Sequence, residues 1–302
     1  MAAISLSNLE KSFGSVQALR GIDLEVGQGE VFGFLGPNGA GKSTTIDILL
    51  RYTHPDAGAV EVLGHDVTSD PIPVRRRTGI LPEGFAPFET MTGRQHVEYA
   101  IEVIDSDDDP VALLERVGLT HGIDRRASRY SKGMAQRLCL AMALVGEPDL
   151  LVLDEPSTGL DPHGVKRMRE IVTEETARGA TVFFSSHILG QVEAVCDRVG
   201  ILRRGELVAV DTIDALRETV GGDATLQVAL EGDSAAVIPV IEGVPGVRSV
   251  RKRDGGLVVA CSREAKLTVL DEIRAAGGHI TDFATGESSL EELFVSITET
   301  DR

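Results

Sequence analysis

Apolar residues along this chain fall into two kinds of run. Glu30–Leu35 is a strand-like run, and the short stretches Leu150–Leu153 and Ala180–Ser185 read as buried strands. Runs of helical spacing separate them: one beginning at Lys42, then Arg94–Val103, Pro110–Val117, Val165–Ala177 and Ile188–Cys196. Val199–Leu202 and Glu206–Val210 flank Arg203–Arg204–Gly205, the pattern of a hairpin. Residues 1–65 add short strands with glycine-rich turns, and 85–148 carries helical patterns without β-branched runs. Strands alternating with helices predict an α/β fold with a mostly parallel sheet and helices on both faces.

Gly221–Gly222–Asp223 interrupts this pattern. Beyond it come a strand (Thr225–Leu230), a helix (Ser234–Glu242) and a hairpin, Val247–Val250 with Gly256–Ala260, around Asp254–Gly255. A helix (Glu264–Ala276), a strand near His279–Ala284 and a last helix near Leu290–Ile297 complete the chain. The order β-α-β-β-α-β predicts a small α+β domain of the ferredoxin-like kind. The expected domains are therefore 1–220, with its helical part at about 85–148, and 221–302.

A length of 302 residues suits two such domains. Thirty Lys and Arg against 47 Asp and Glu give a net charge of −17, which repels phosphate backbones and argues against a nucleic-acid partner. The run Asp105–Asp109 lacks the spacing of a calcium loop and reads as a solvated acidic loop. Cys139, Cys196 and Cys261 lie far apart and read as reduced thiols, with no disulfide frame or zinc site. No secretion signal is read at the N-terminus, and no run of about 18 apolar residues occurs. Any membrane path is expected on another chain.

The most specific chemistry lies in Gly36–Pro37–Asn38–Gly39–Ala40–Gly41–Lys42–Ser43, with Thr44 next. Every fixed position of G-x-x-x-x-G-K-[ST] is filled, after a strand and before a helix. Glycines let backbone N–H groups turn toward a phosphate chain, and the helix directs its positive end at the same anion. Lys42 is expected to reach the β and γ phosphates, and the Ser43 hydroxyl to ligate Mg²⁺. A second signal is the apolar strand ending in Asp154 and Glu155, at the sheet edge where open α/β folds bind ligands. Asp154 is assigned to Mg²⁺ and Glu155 to polarising the attacking water. His187 comes just after another strand end; alone, it is open between a structural role and a γ-phosphate contact.

Together these residues resemble the nucleotide-binding domain of ATP-binding cassette (ABC) transporters over roughly residues 1–220. The most specific stretch, Leu153–Asp154–Glu155–Pro156–Ser157–Thr158–Gly159–Leu160–Asp161–Pro162, looks like the family's Walker B acids joined to its D-loop. Ser185–Ser186–His187 looks like its switch histidine, and Phe13 stands where an aromatic stacks on adenine, with a core aromatic as the other reading. Ile80–Leu81–Pro82–Glu83 looks like the Q-loop, with Glu83 in place of the usual Gln and still able to ligate Mg²⁺. The signature pattern L-S-G-G-Q appears as Tyr130–Ser131–Lys132–Gly133–Met134. It keeps Ser131 and Gly133, which the resemblance assigns to γ-phosphate contact across a dimer.

Tyr-Ser-Lys-Gly-Met and the tail phrase Ser289–Leu290–Glu291–Glu292–Leu293–Phe294 are similar to the drug-, sodium- and polysaccharide-export branch. The resemblance implies a P-loop NTPase core with an antiparallel β-subdomain and an α-helical subdomain. It implies an ATPase using ATP and Mg²⁺, dimerising on ATP with itself or a second cassette. It also implies an integral membrane permease as partner, at the cytoplasmic face of the cell membrane. The alternatives are a non-transport cassette ATPase, which usually has two cassettes or a long coiled-coil insertion, and a degenerate regulatory binder. Intact Lys42, Asp154, Glu155 and His187 argue against the second.

Overall fold

The computed structural model describes residues 2–219, 223–231, 237–253, 256–262 and 264–287. The chain forms two compact units, Met1–Asp211 and Thr212–Arg302. The division falls before the glycines at 221–222, because the helix Ile213–Thr219 belongs to the second unit.

In the first unit, strands β1 (Ala2–Phe13) and β2 (Val16–Gly27) form a long antiparallel hairpin, succeeded by β3 (Val31–Leu35) and helix α1 (Lys42–Leu49). Strands β4 (Ala57–Val62) and β5 (His65–Asp66) join β1 and β2 in a four-stranded antiparallel sheet ordered β2-β1-β4-β5. Short α2 (Pro71–Arg76) and β6 (Thr78–Leu81) lead into three helices, α3 (Gly93–Ile104), α4 (Pro110–Arg116) and α5 (Lys132–Ala143). Next come β7 (Leu150–Asp154), α6 (Pro162–Ala177), β8 (Thr181–Ser186), α7 (Leu189–Val192), β9 (Arg198–Arg203) and β10 (Glu206–Thr212). The second sheet is ordered β10-β9-β3-β8-β7-β6, and β9, β3, β8, β7 and β6 run parallel.

Every residue of β3, β7 and β8 is buried, as strands covered on both faces require. Phe183 anchors this layer, with Phe32 and Phe34 at 5.9 and 5.2 Å between ring centroids. The three central strands therefore end together. Their carboxyl ends deliver the cradle after β3, Glu155 after β7 and His187 after β8 to one edge of the sheet.

Local chemistry fixes the helix ends. Thr92 and Gln95 form a reciprocal capping box on α3, while Asp109, Ser131 and Asp161 cap α4, α5 and α6. The acidic run at 105–109 is thus partly structural: Asp109 is a cap, and Asp108 accepts from Gly146 N at 2.7 Å. Helix α7 is shorter than the apolar spacing over Ile188–Cys196 predicts. The chain turns after Val192, and Val192, Cys196 and Val199 crowd the space beside Gly33, where an added Cβ would meet all three at 2.3–3.1 Å. Turning there lets β9 begin at Arg198, in register with Phe32.

The second unit contains α8 (Ile213–Thr219), β11 (Asp223–Glu231), α9 (Ile238–Glu242), β12 (Val247–Arg253), β13 (Gly256–Ser262), α10 (Ala265–Ala275) and β14 (His279–Glu287). After α8 the order is β-α-β-β-α-β, and the sheet is ordered β12-β13-β11-β14, the split arrangement expected of a ferredoxin-like unit. Its core joins Leu226, Val228, Leu257 and Val259 to Ile241, Val269 and Ile273. The predicted last helix near Leu290–Ile297 and the phrase Ser289–Phe294 lie outside the described residues.

Glu175 of α6 is a test of the first unit's packing. Its side chain is 3% exposed and is held by Arg116 at 2.7 Å and Arg178 at 2.6 Å. Breaking a buried ion pair leaves charge uncompensated, but both arginines reach solvent, which softens the loss. Glu175→Ala should therefore destabilise the first unit by about 2 kcal/mol. Urea unfolding checks this; an unchanged midpoint would mean that the arginines, not the carboxylate, hold α4 to α6.

Candidate functional site

The carboxyl ends of the parallel strands open onto a cleft of about 360 Å³. It is lined by Asn38, Gly39, Gly41, Lys42, Ser43 and Thr44, by Glu83, Asp154 and Glu155, and by Val16, Gln17, Ala18, Arg20 and Arg204. Thus six cradle positions face the cleft, while Gly36, Pro37 and Ala40 do not line it. Gly36 lies against the carbonyl of Leu202, where a Cβ would come within 2.5 Å. Gly41 has φ +114°, and a Cβ there would meet the Ala18 carbonyl at 2.8 Å. The β9–β10 hairpin braces the loop: Gly205 N donates to Ala40 O at 2.8 Å, and Arg20 N donates to Gly205 O at 2.8 Å.

Lys42 is 6% exposed, and its ammonium donates to Gly36 O at 2.6 Å and Pro37 O at 3.4 Å. Burial pulls it below the ordinary lysine value, and the carboxylates of Glu155, Asp154 and Glu83 act in the opposite sense. Glu155 Oε1 lies 3.8 Å from the Lys42 ammonium and 2.8 Å from His187 Nδ1. Glu155 itself is 5% exposed with φ +48°, a left-handed backbone uncommon for Glu. Its N–H donates to Ser185 O at 3.2 Å, which holds that turn. Its second oxygen, Oε2, is buried without a hydrogen-bond partner. Asp154, also 5% exposed, accepts a short hydrogen bond from the Ser185 hydroxyl.

The structure therefore gathers Lys42, Ser43, Thr44, Glu83, Asp154, Glu155 and His187 at one edge. Phe13 stands at the tip of the β1–β2 hairpin, 52% exposed, opposite Val16, which lines the cleft. Ser131 and Gly133 do not line it. They begin α5, where Ser131 caps by accepting from Met134 N at 3.2 Å. Gly133 packs on its own chain: a Cβ would come within 2.7 Å of Gly159 O. Arg137 to Asp161 at 2.5 Å and Gln136 to Pro156 O at 3.1 Å tie the same helix to the segment after Glu155. Sequence reasoning gave no role to Gln17, Arg20 and Arg204, the last visible only as part of a turn, and named Ser185 within Ser185–Ser186–His187 without its hold on Asp154.

A comparison with known proteins decides the family. Residues 19–158 match the family described as "ABC transporter", and residues 212–298 match "ATP-binding protein DrrA1-3-like, C-terminal domain". The chain is 31% identical to the linearmycin resistance ATP-binding protein LnrL of Bacillus subtilis (strain 168), with 98% of each chain covered. The chain belongs to the ABC transporter family of ATP-binding subunits. This ABC subunit is also 35% identical to the daunorubicin resistance ATP-binding protein DrrA3 of Streptomyces coeruleorubidus, over 99% of its own length and 97% of the relative's. A solved structure of an ATP-binding subunit of an ABC transporter matches with a TM-score of 0.67 and 30% identity, covering 72% of this chain and 93% of the other. As an ABC ATPase, the chain binds and hydrolyses ATP to drive transport. Among the described residues no helix is long and apolar enough to cross a membrane.

The Gly133–Gly159 approach predicts that Gly133→Ala lowers the stability of the ABC subunit without any nucleotide present. The methyl must push α5 away from Gly159 O, at about 1–3 kcal/mol. Thermal unfolding of the nucleotide-free protein reads it; an unaltered melting temperature would show that the helix start shifts freely.

Proposed function

We propose that this ATPase powers export through a separate membrane protein, and that two cassettes close around two ATP molecules. The observation that carries the reading is the state of Glu155. One carboxylate oxygen, Oε1, is fixed by His187 and lies 3.8 Å from the Lys42 ammonium of the phosphate cradle, and the other is buried and unpaired. Such an oxygen suits a water poised to attack a γ-phosphate. Lys42 supplies positive charge where the phosphates carry negative charge, in a site dry enough to strengthen the attraction.

The donor set also suits Mg²⁺. Ser43, Glu83 and Asp154 line the cleft, whereas among the described residues no cluster of His, Cys, Asp or Glu could hold a metal unaided. Mg²⁺ is ordinarily held by one or two carboxylates plus phosphate oxygens, and it would neutralise charge developing on the phosphates. Ser185 holds Asp154 in place for that role. His187 orients Glu155, and Phe13 offers a face for the adenine.

Ser131 and Gly133 lie away from the cleft of their own chain. We assign them to the γ-phosphate of ATP held by a second cassette, either another copy or a related chain. The membrane permease is a different protein, and this chain would sit against it at the cytoplasmic face. Export is favoured because relatives are named for linearmycin and daunorubicin resistance and for Nod factor export. The charge of −17 favours no nucleic-acid partner.

Glu155→Gln keeps the shape of the side chain but not its basicity. Its ATPase rate should fall by about 10²–10⁴ while ATP binding persists, and ATP-dependent dimers should accumulate on size exclusion. Turnover near the wild-type rate would remove Glu155 from the water-activating role.

A further inference from the structure

The exposed ring of Phe13 is held by a small charged frame. Asp56, in the loop before β4, accepts from the Lys11 ammonium at 2.8 Å and from Ser12 N at 2.6 Å. Its own N–H donates to Glu10 O at 2.9 Å, so the loop is fastened to the last residues of β1 from both sides. Those contacts also hold the Asp56 carboxyl below the usual carboxylate range, the Lys11 hydrogen bond contributing most. The Lys11 ammonium in turn lies over the Phe13 ring, 5.3 Å from its centroid. The Lys11 side chain is only 12% exposed, so its cation is better shielded than most surface lysines and its attraction to the ring correspondingly stronger.

Lys11 and Phe13 are two residues apart on one strand and therefore share a face. The pairing of β1 with β2 slips beside them, from Lys11 opposite Leu19 to Ser12 opposite Gln17. The slip leaves Ala18 as an extra residue on β2, a bulge of the kind that re-aims side chains. Ala18 and Gln17 both line the phosphate cleft. The bulge thus lies between cleft-lining residues and the hairpin tip, where Phe13 stands opposite Val16.

We propose that Lys11 and Asp56 are positioning residues for the nucleotide base. Asp56 fixes the Lys11 ammonium, which covers one face of Phe13 and holds the ring ready for a planar base. This rests on the reading of Phe13 as the base platform. The phosphate cradle is built from other elements, so the pair acts on the base and not on the triphosphate.

The test compares two ligands on the full chain by calorimetry: Mg·ATP, and Mg·tripolyphosphate, which lacks base and sugar. Phe13→Ala should weaken ATP about tenfold, the scale of a base–aromatic stack, and leave tripolyphosphate unchanged. Lys11→Met and Asp56→Ala should each weaken ATP about threefold, again without affecting tripolyphosphate. Lys11→Arg, which can still pair with Asp56 and cover the ring, should bind both ligands as wild type does. If Phe13→Ala loses ATP but Lys11→Met and Asp56→Ala do not, the frame is irrelevant and the proposal falls while the platform stands. If Phe13→Ala keeps full ATP affinity, the platform reading fails and takes the proposal with it. If Lys11→Met weakens both ligands equally, Lys11 acts on the phosphates or the fold, which also overturns the proposal.

Discussion

A buried lysine facing buried acids is the constraint around which the first unit is built. Lys42 and Glu155 are each almost inaccessible, and Lys42 Nζ and Glu155 Oε1 stand 3.8 Å apart, too far for a direct hydrogen bond. Neither neutralises the other by close contact, and Glu155 Oε1 rests 2.8 Å from His187 Nδ1. Lys42 leans instead on two loop carbonyls, and Glu155 keeps one oxygen unpaired. Charges held in this way cost stability unless something completes them. A phosphate chain and a water would do so, which makes the local cost of holding these charges part of the affinity for substrate.

Holding that arrangement needs rigid neighbours. The three fully buried strands β3, β7 and β8 end side by side, and Phe183 locks their layer from within. Glu155 sits on a left-handed turn whose N–H is tied to Ser185, and Asp154 is tied to the Ser185 hydroxyl. A single serine on β8 therefore sets both acids at the end of β7. The cradle is braced from the other side by Gly205 in the β9–β10 turn. Helix α5 is fastened to the segment after Glu155 by Arg137, Gln136 and the Gly133–Gly159 approach. Movement of the α5 start would therefore be felt next to Glu155.

Much of this was legible in the sequence because it rests on burial and on short motifs. Strand-like runs marked β3, β7 and β8, the last two as buried strands, since strands covered on both faces need not alternate. The cradle glycines announced themselves because their spacing, with the Lys and Ser that follow, lets backbone N–H groups wrap a phosphate chain. Short β6 and α2 were missed, being brief and, in α2, charged at the end. The helix beyond His187 was overextended because Val195 and Cys196 keep helical spacing while packing in a turn. The hold of Ser185 on Asp154 and the Lys11–Asp56 pair were invisible, because they depend on contacts between segments distant in sequence. The own-chain duty of Gly133 was hidden for the same reason: its partner, Gly159, belongs to another motif.

In the proposed mechanism the cleft of one chain is half of a site, and the α5 start of a second chain is the other half. Complementation between two inactive variants measures this most directly. Lys42→Ala damages the cradle and Ser131→Arg blocks the α5 start, so each variant alone has no intact site. Mixed, with subunit exchange verified by tags, one of the two sites in each heterodimer joins an intact Lys42 to an intact Ser131. The expected result is ATPase activity above the sum of the separate variants. No such gain is expected when wild type is mixed with a chain carrying both changes. Heterodimers that form yet stay as inactive as their parents would contradict the claim that one composite site, assembled from two chains, hydrolyses ATP.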